Sequence, residues 1–105
     1  MIDSVMYEDV DTAPLRELSR ALALCRDAGL IEEFLFSLLT ENESRDISSR
    51  WTLVRLIDKG VSQRTISREL GLSLCKITRG SRELKRDESP FARMVELFKE
   101  DRAPA

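Results

Sequence analysis

The stretch from residue 60 to residue 85, GVSQRTISRELGLSLCKITRGSRELK, leaves few folds open to this chain. Two short amphipathic segments meet at Gly71, a residue type that readily adopts the left-handed backbone of a tight turn between helices. Ser62 and Ser73 each precede one segment, where a serine oxygen accepts a hydrogen bond from an unpaired backbone N–H. The pattern therefore predicts a helix-turn-helix over residues 62–85.

The second of these predicted helices has two chemically different faces. At about 100° per residue, Ile77 points to one side and Arg79 points nearly to the opposite side. An apolar back and a cationic front are what a helix needs in order to lie in the major groove of DNA. The positions expected to face inward across the whole unit are small or aliphatic: Ile66, Ser67, Leu70, Leu72, Leu74 and Ile77.

The charge of the chain is unevenly distributed. The total is −2, but residues 1–44 carry −7 and residues 59–86 carry +6. A basic block in one segment is the electrostatic footprint of a nucleic-acid-binding surface, whatever the total charge. The alternative is that these charges only keep a surface solvated.

Composition excludes several classes of function. The 105 residues, 34% charged and 42% apolar, are typical of one water-soluble domain. No membrane-length apolar run or signal peptide is present in the sequence, so we expect a cytoplasmic protein without a membrane partner. The chain has no histidine, and Cys25 and Cys75 are widely separated. We therefore expect no metal site, reduced thiols and no catalysis.

The remaining periodicity predicts six helices and no strand, an all-α chain. Residues 1–11 are expected to form a flexible arm, and residues 12–100 a single domain. Thr12 is expected to cap the first helix and Gly29 to end it. The second helix is predicted over residues 31–39, and a capping box, Thr40 with Glu43, begins a long third helix that ends near Gly60. Ser89 and Pro90 are expected to begin the last helix.

The first two predicted helices have more apolar surface than so small a chain can bury. A second copy would cover it, so a homodimer is expected, with a compact monomeric bundle as the alternative. Arg50 is a separate anomaly, because it falls among apolar positions of the long helix. Helix geometry alone favours a carboxylate partner for Arg50 over a ligand.

Several sequence motifs together resemble the tryptophan repressor family. They are SQR at 62–64, EL and glycine at 69–71, ITRGS at 77–81, Leu84-Lys85, LLT at 38–40, Glu43 and Arg50. The similarity covers roughly residues 35 to 98. It implies an intertwined homodimer with a central helix-turn-helix, a near-palindromic operator in double-stranded DNA, and L-tryptophan as the corepressor.

The resemblance also implies roles for individual residues in ligand binding. Arg79 would bind the tryptophan carboxylate, Gly80 would leave room for the indole, and Arg50 would stack on its other side, which reverses the preference stated above. The backbone carbonyls of Ser37, Leu38 and Leu39, with Thr40, would face the ligand ammonium from the partner subunit. Glu83 stands where the family often has a serine that meets the ligand amino group, and Ser37 replaces an aliphatic residue.

The DNA-binding residues are predicted from the helix-turn-helix, with a guanine contact by Arg64 implied by the family. Because the loop after Gly60 is one residue shorter than in the family, its base preference is not carried over. A ligand-independent helix-turn-helix module, as in transposases or replication initiators, and a protein-interaction adaptor remain alternatives to the repressor. The complete predicted DNA-binding set is Arg64, Ser67, Ser73, Leu74, Cys75, Lys76, Thr78, Arg79, Arg82 and Lys85.

Overall fold

The computed structural model of the chain describes residues 12–102, so the predicted arm lies outside the described residues. Within that range all regular structure is α-helical, as predicted, and none of the helices is long and apolar enough to cross a membrane. The chain forms two compact units, one up to Glu41 and one from Asn42. The six helices are α1 (Ala13–Leu24), α2 (Ala28–Leu38), α3 (Glu41–Asp58), α4 (Gln63–Leu70), α5 (Leu74–Lys85) and α6 (Pro90–Arg102).

Two predictions about the ends of the first helices are wrong. Thr12 has a helical backbone conformation and makes no side-chain capping bond, so it does not cap α1. Gly29 does not end α1, which stops at Leu24, but lies in the first turn of α2. The reason is Asp27, whose Oδ1 accepts from the backbone N–H of Leu30 at 3.2 Å and so begins α2 three residues before the predicted start.

The N-terminal unit leaves most of its apolar surface uncovered. Neither α1 nor α2 contains a buried residue. Phe36 is 67% exposed and Leu24 is 78% exposed. A cleft of about 230 Å³ lies between the two helices, lined by Leu18, Ala21, Leu22, Cys25, Leu30, Ile31 and Phe34.

The turn between α4 and α5 has the predicted chemistry. Ser62 Oγ accepts from the N–H of Thr65 at 3.2 Å, and Ser73 Oγ accepts from the N–H of Lys76 at 3.3 Å. Gly71 has φ 66°, the left-handed conformation in which an L side chain is disfavoured. These local bonds fix where each helix begins and how sharply the chain turns between them.

The core of the C-terminal unit joins α3, α4 and α5. Ile66 of α4 and Ile77 of α5 have no exposed surface, and Leu53 of α3 completes the buried cluster. The prediction that Leu74 faces inward is wrong, because this side chain is 60% exposed. Leu74 is the first residue of α5 and lies a full turn ahead of the residues that touch this core. Partly buried side chains surround the cluster: Leu56, Ile57, Val61, Leu70 and Leu72.

Helix α6 packs on α3 through aromatic rings and one ion pair. Ser89 Oγ accepts from the N–H of Ala92 at 3.1 Å, so the predicted cap of α6 is confirmed. The Trp51 ring stacks on Phe91 with centroids 5.9 Å apart and meets the edge of Phe98 at 6.1 Å. At the end of α3, Lys99 Nζ donates to Asp58 Oδ2 at 2.8 Å. The contacts with α6 therefore hold α3 in addition to its contacts with α4 and α5.

Candidate nucleic-acid interface and ligand site

The predicted DNA-binding residues lie together on one structural unit, which we term the α4–α5 unit: α4, the turn at 71–73, and α5. The buried positions of the unit, Ile66, Ile77 and Ser81, leave the opposite sides of both helices in solvent. Every predicted DNA-binding side chain except Ser67 is exposed: Arg64, Ser73, Leu74, Cys75, Lys76, Thr78, Arg79, Arg82 and Lys85.

Ser67 has a structural role of its own. Its side chain is half-buried, and its hydroxyl donates to the carbonyl oxygen of Leu72 at 2.9 Å. The bond crosses the turn and supports the approach of α4 to α5. The single hydroxyl proton of Ser67 is therefore used inside the unit.

The start of α5 presents backbone donors as well as side chains. Ser73 satisfies the N–H of Lys76. Leu74 and Cys75 are the first two helical residues, so their N–H groups have no carbonyl acceptor within the helix. Donors at the beginning of a helix favour an anionic oxygen, and a phosphate has the matching charge.

Gly80 marks a close approach of α5 to α3. A Cβ placed on Gly80 would lie 2.9 Å from Leu53 Cδ2 and 3.7 Å from Ile57 Cδ1. Leu53 and Ile57 are not among the site residues predicted from the sequence. Their place on the apolar face of α3, beside Arg50, was the signal that pointed to them. Arg50 is three residues before Leu53, and Arg79 directly precedes Gly80. The contact therefore lies within one helical turn of each arginine.

The two arginines of the predicted ligand site are both exposed. Among the described residues, the carboxylate partner that helix geometry favoured for Arg50 is not present. Glu83 lies three residues after Gly80 and is half-buried. Its Oε2 pairs at 3.4 Å with Arg86, the residue directly after α5. The carboxylate of Glu83 is therefore within reach of a cation on this side of α5.

The residues predicted to face a ligand ammonium lie at the end of α2. Leu38 is its last residue, and Leu39 and Thr40 follow it. The Ser37 hydroxyl donates to the carbonyl oxygen of Glu33 at 3.0 Å. The carbonyl oxygens of Ser37 and Leu38 belong to the last turn, where no later helical N–H donates to them, so they are open to an external donor.

The Gly80 contact predicts a specific pattern of stability. Gly80→Ala should lower the free energy of unfolding by up to about 2 kcal/mol, because the overlap of the new methyl with Leu53 costs more than the ~1 kcal/mol that alanine gains over glycine inside a helix. Leu53→Ala should lower it by about 2–5 kcal/mol through the cavity it leaves. The double variant should lose less than the sum, by about 0.5 kcal/mol or more, since the methyl then occupies part of that cavity. Urea unfolding followed by Trp51 fluorescence measures all three.

Leu56→Ala is the matched control for this cycle, because Leu56 lies on the same helix and supplies none of the three atoms nearest to a Cβ on Gly80. Its combination with Gly80→Ala should be additive. Additive losses for the Leu53 pair would contradict close packing at Gly80.

Comparison with known proteins agrees with this arrangement. The family model described as Trp repressor protein matches residues 13–98, a longer span than the sequence motifs alone indicated. A Trp operon repressor homolog of Chlamydia trachomatis serovar L2 is 38% identical over 64 residues, covering 59% of this chain and 68% of that protein. A Trp operon repressor homolog of Vibrio vulnificus is 42% identical over 66 residues, covering 61% and 65%.

A third relative, the Trp operon repressor homolog of Vibrio campbellii, is 42% identical over 55 residues, covering 51% of this chain and 55% of that protein. No solved structure matches the chain. The family match spans α1 to α5 and most of α6, which includes every predicted site residue. The chain therefore belongs to the Trp repressor family of transcription regulators.

Proposed function

We propose that this protein is a DNA-binding transcriptional repressor that L-tryptophan activates as corepressor. It acts as a homodimer, in the cytoplasm, on a near-palindromic operator. A helix-turn-helix at residues 62–85 contacts the DNA. The observation that carries the proposal is the α4–α5 unit, whose buried side is fixed to α3 while its cationic side faces solvent. No metal takes part.

The exposed side of α5 suits the major groove of DNA. Lys76, Arg82 and Lys85 bring positive charge to the phosphates on either side of the groove, which sets affinity and register. Leu74 and Cys75 offer backbone N–H groups at the entering end of the helix. Arg64 of α4 contacts a guanine edge, as the family resemblance implies.

A second copy of the chain completes the proposed repressor. The unburied helices α1 and α2, with their apolar cleft, need a partner surface of the same character. Two α4–α5 units in one dimer then meet successive major grooves about 34 Å apart, which explains the near-palindromic operator.

Sedimentation equilibrium at micromolar concentration should give twice the 12.0 kDa chain mass. A stable single-chain mass would contradict the dimer and with it the operator symmetry.

The proposed tryptophan site lies where α5 meets α3. Arg79 holds the carboxylate through paired N–H donors, and Arg50 lies over the indole ring. The carbonyl oxygens of Ser37, Leu38 and Leu39, with Thr40, come from the second copy and accept from the ammonium, which Glu83 also faces. Because Leu53 fills the space beside Gly80, an indole there requires the Leu53 side chain to move.

This geometry links ligand binding to the position of the DNA-binding helix. A ligand between α3 and α5 changes the contact of Leu53 with Gly80, where the two helices pack closely. It favours DNA binding only if it binds the DNA-competent arrangement more tightly than the other. The proposed role of tryptophan is to hold α5 at the separation from α3 that fits the groove.

Arg79→Leu tests the ligand site directly. Loss of a charge-assisted carboxylate pair, about 1.5–3 kcal/mol, should weaken L-tryptophan binding about 10-fold to 100-fold in isothermal titration. The fold should survive, because Arg79 is exposed. Arg82→Leu is the matched control: it removes an equally exposed arginine from the same helix, outside the proposed ligand set, and should leave tryptophan affinity unchanged.

Two other results would reject this ligand site. Equal weakening by the two substitutions would show that general charge, and not a carboxylate pair, governs the titration. The second result is a titration of the wild-type protein with L-tryptophan that gives no heat of binding, together with DNA binding that needs no indole. It would favour the ligand-independent helix-turn-helix module. The closed contact of Leu53 with Gly80 is the observation compatible with that second function.

A further inference from the structure

Arg68 is an exposed arginine on α4 that is not among the predicted DNA-binding residues. It follows Arg64 by four positions, so the two side chains are neighbours on one face of the helix. The buried residue of α4 is Ile66, midway between them in sequence. Two residues before or after Ile66 is a rotation of about 200°, which places both arginines on the side away from the core.

The positive charges of these two guanidinium groups are not paired within the part of the chain that the structure describes. Among the described residues, neither Arg64 nor Arg68 forms an ion pair or a side-chain hydrogen bond. Glu69 is the one acid of α4, and it points about 100° away from Arg68 around the helix. Like charges four residues apart repel each other on a helix surface. An anion lying against this face would turn the repulsion into attraction.

The other side chain with a hydrogen-bond donor near this end of α4 already has an acceptor. Ser67 donates its hydroxyl proton to Leu72 across the turn. Arg68 is thus the side chain at the C-terminal end of α4 with donors directed outward. Its planar guanidinium offers paired N–H groups that match two oxygens of one phosphate.

We propose that Arg68 is a further DNA-binding residue, whose guanidinium binds a backbone phosphate beside the base pair that Arg64 contacts. The inference rests on the proposed function, because it requires the α4–α5 unit to lie on duplex DNA. The first helix of such a unit crosses the sugar–phosphate backbone while the second enters the groove. Arg68 therefore adds affinity and register without adding sequence preference.

A salt titration with Arg68→Gln tests this role. The probe is the duplex that the wild-type protein selects from a random-sequence library with L-tryptophan present, compared with a scrambled duplex of the same composition. Loss of one phosphate contact should reduce the slope of log affinity against log salt by about 0.9 for each bound chain. The fall in affinity between 50 and 200 mM salt should then shrink about 3.5-fold per chain, equally on both duplexes.

Two variants serve as controls. Arg93→Gln removes one exposed positive charge from α6, outside the α4–α5 unit, and should leave the slope unchanged. Arg68→Lys keeps the charge and loses the forked geometry, so it should retain the slope while binding more weakly than the wild type. Circular dichroism checks that each variant keeps its helix content.

The outcomes separate this inference from the proposed function. If Arg68→Gln behaves like Arg93→Gln while the wild type still prefers its selected duplex, the phosphate contact is wrong and the repressor stands. If Arg68→Gln weakens the selected duplex alone, Arg68 contacts a base and the inference is also wrong. If the wild type binds neither duplex, both the inference and the proposed function fail.

Discussion

The packing of Ile66 and Ile77 against Leu53 is the interaction on which the geometry of this protein depends. The first two side chains have no exposed surface and Leu53 retains 3%. Because they come from α4, α5 and α3, one small cluster fixes the angle between the two short helices and attaches both to the long one. The cationic side of the α4–α5 unit faces solvent as a direct consequence, since the opposite side of each short helix is fully used.

The same cluster connects the two proposed sites. Leu53 belongs to the core and also fills the space beside Gly80, so one side chain both holds α5 and occupies the place proposed for an indole. Small changes at a packed contact shift whole helices, because interiors have little free space to absorb them. A ligand that displaces Leu53 therefore acts on the position of Arg79, Arg82 and Lys85 without touching DNA itself.

Much of this arrangement could be predicted from local sequence. Gly71, Ser62 and Ser73 determine the turn through bonds within a few residues, and such chemistry is visible in the sequence alone. Leu74 was misplaced because a helical wheel predicts the direction of a side chain but not how far the neighbouring helix extends. Gly29 was misplaced because the side chain of Asp27 begins α2 two residues before that glycine. Thr12 was misplaced because its backbone is already helical and its side chain makes no capping bond.

Tertiary packing accounts for what the sequence left undetermined. The 2.9 Å approach of Leu53 to the place of a Gly80 Cβ depends on how two helices cross, which no single-helix pattern contains. The hydroxyl of Ser67 faces the turn and not the solvent because Leu72 presents a carbonyl there. The proposed ligand residues at 37–40 were predicted through family motifs alone, whereas Arg50 also stood out by its place among the apolar positions of the long helix.

The most direct test is whether L-tryptophan strengthens DNA binding. The affinity of the protein for the selected duplex is measured at fixed salt over a range of L-tryptophan concentrations. Fluorescence anisotropy gives the factor by which saturating tryptophan tightens DNA binding. Thermodynamic linkage requires that the duplex tighten tryptophan binding by the same factor, typically about 5-fold to 150-fold for coupled sites. A tryptophan-activated repressor requires equal factors well above one. DNA affinity that does not change with tryptophan would contradict it.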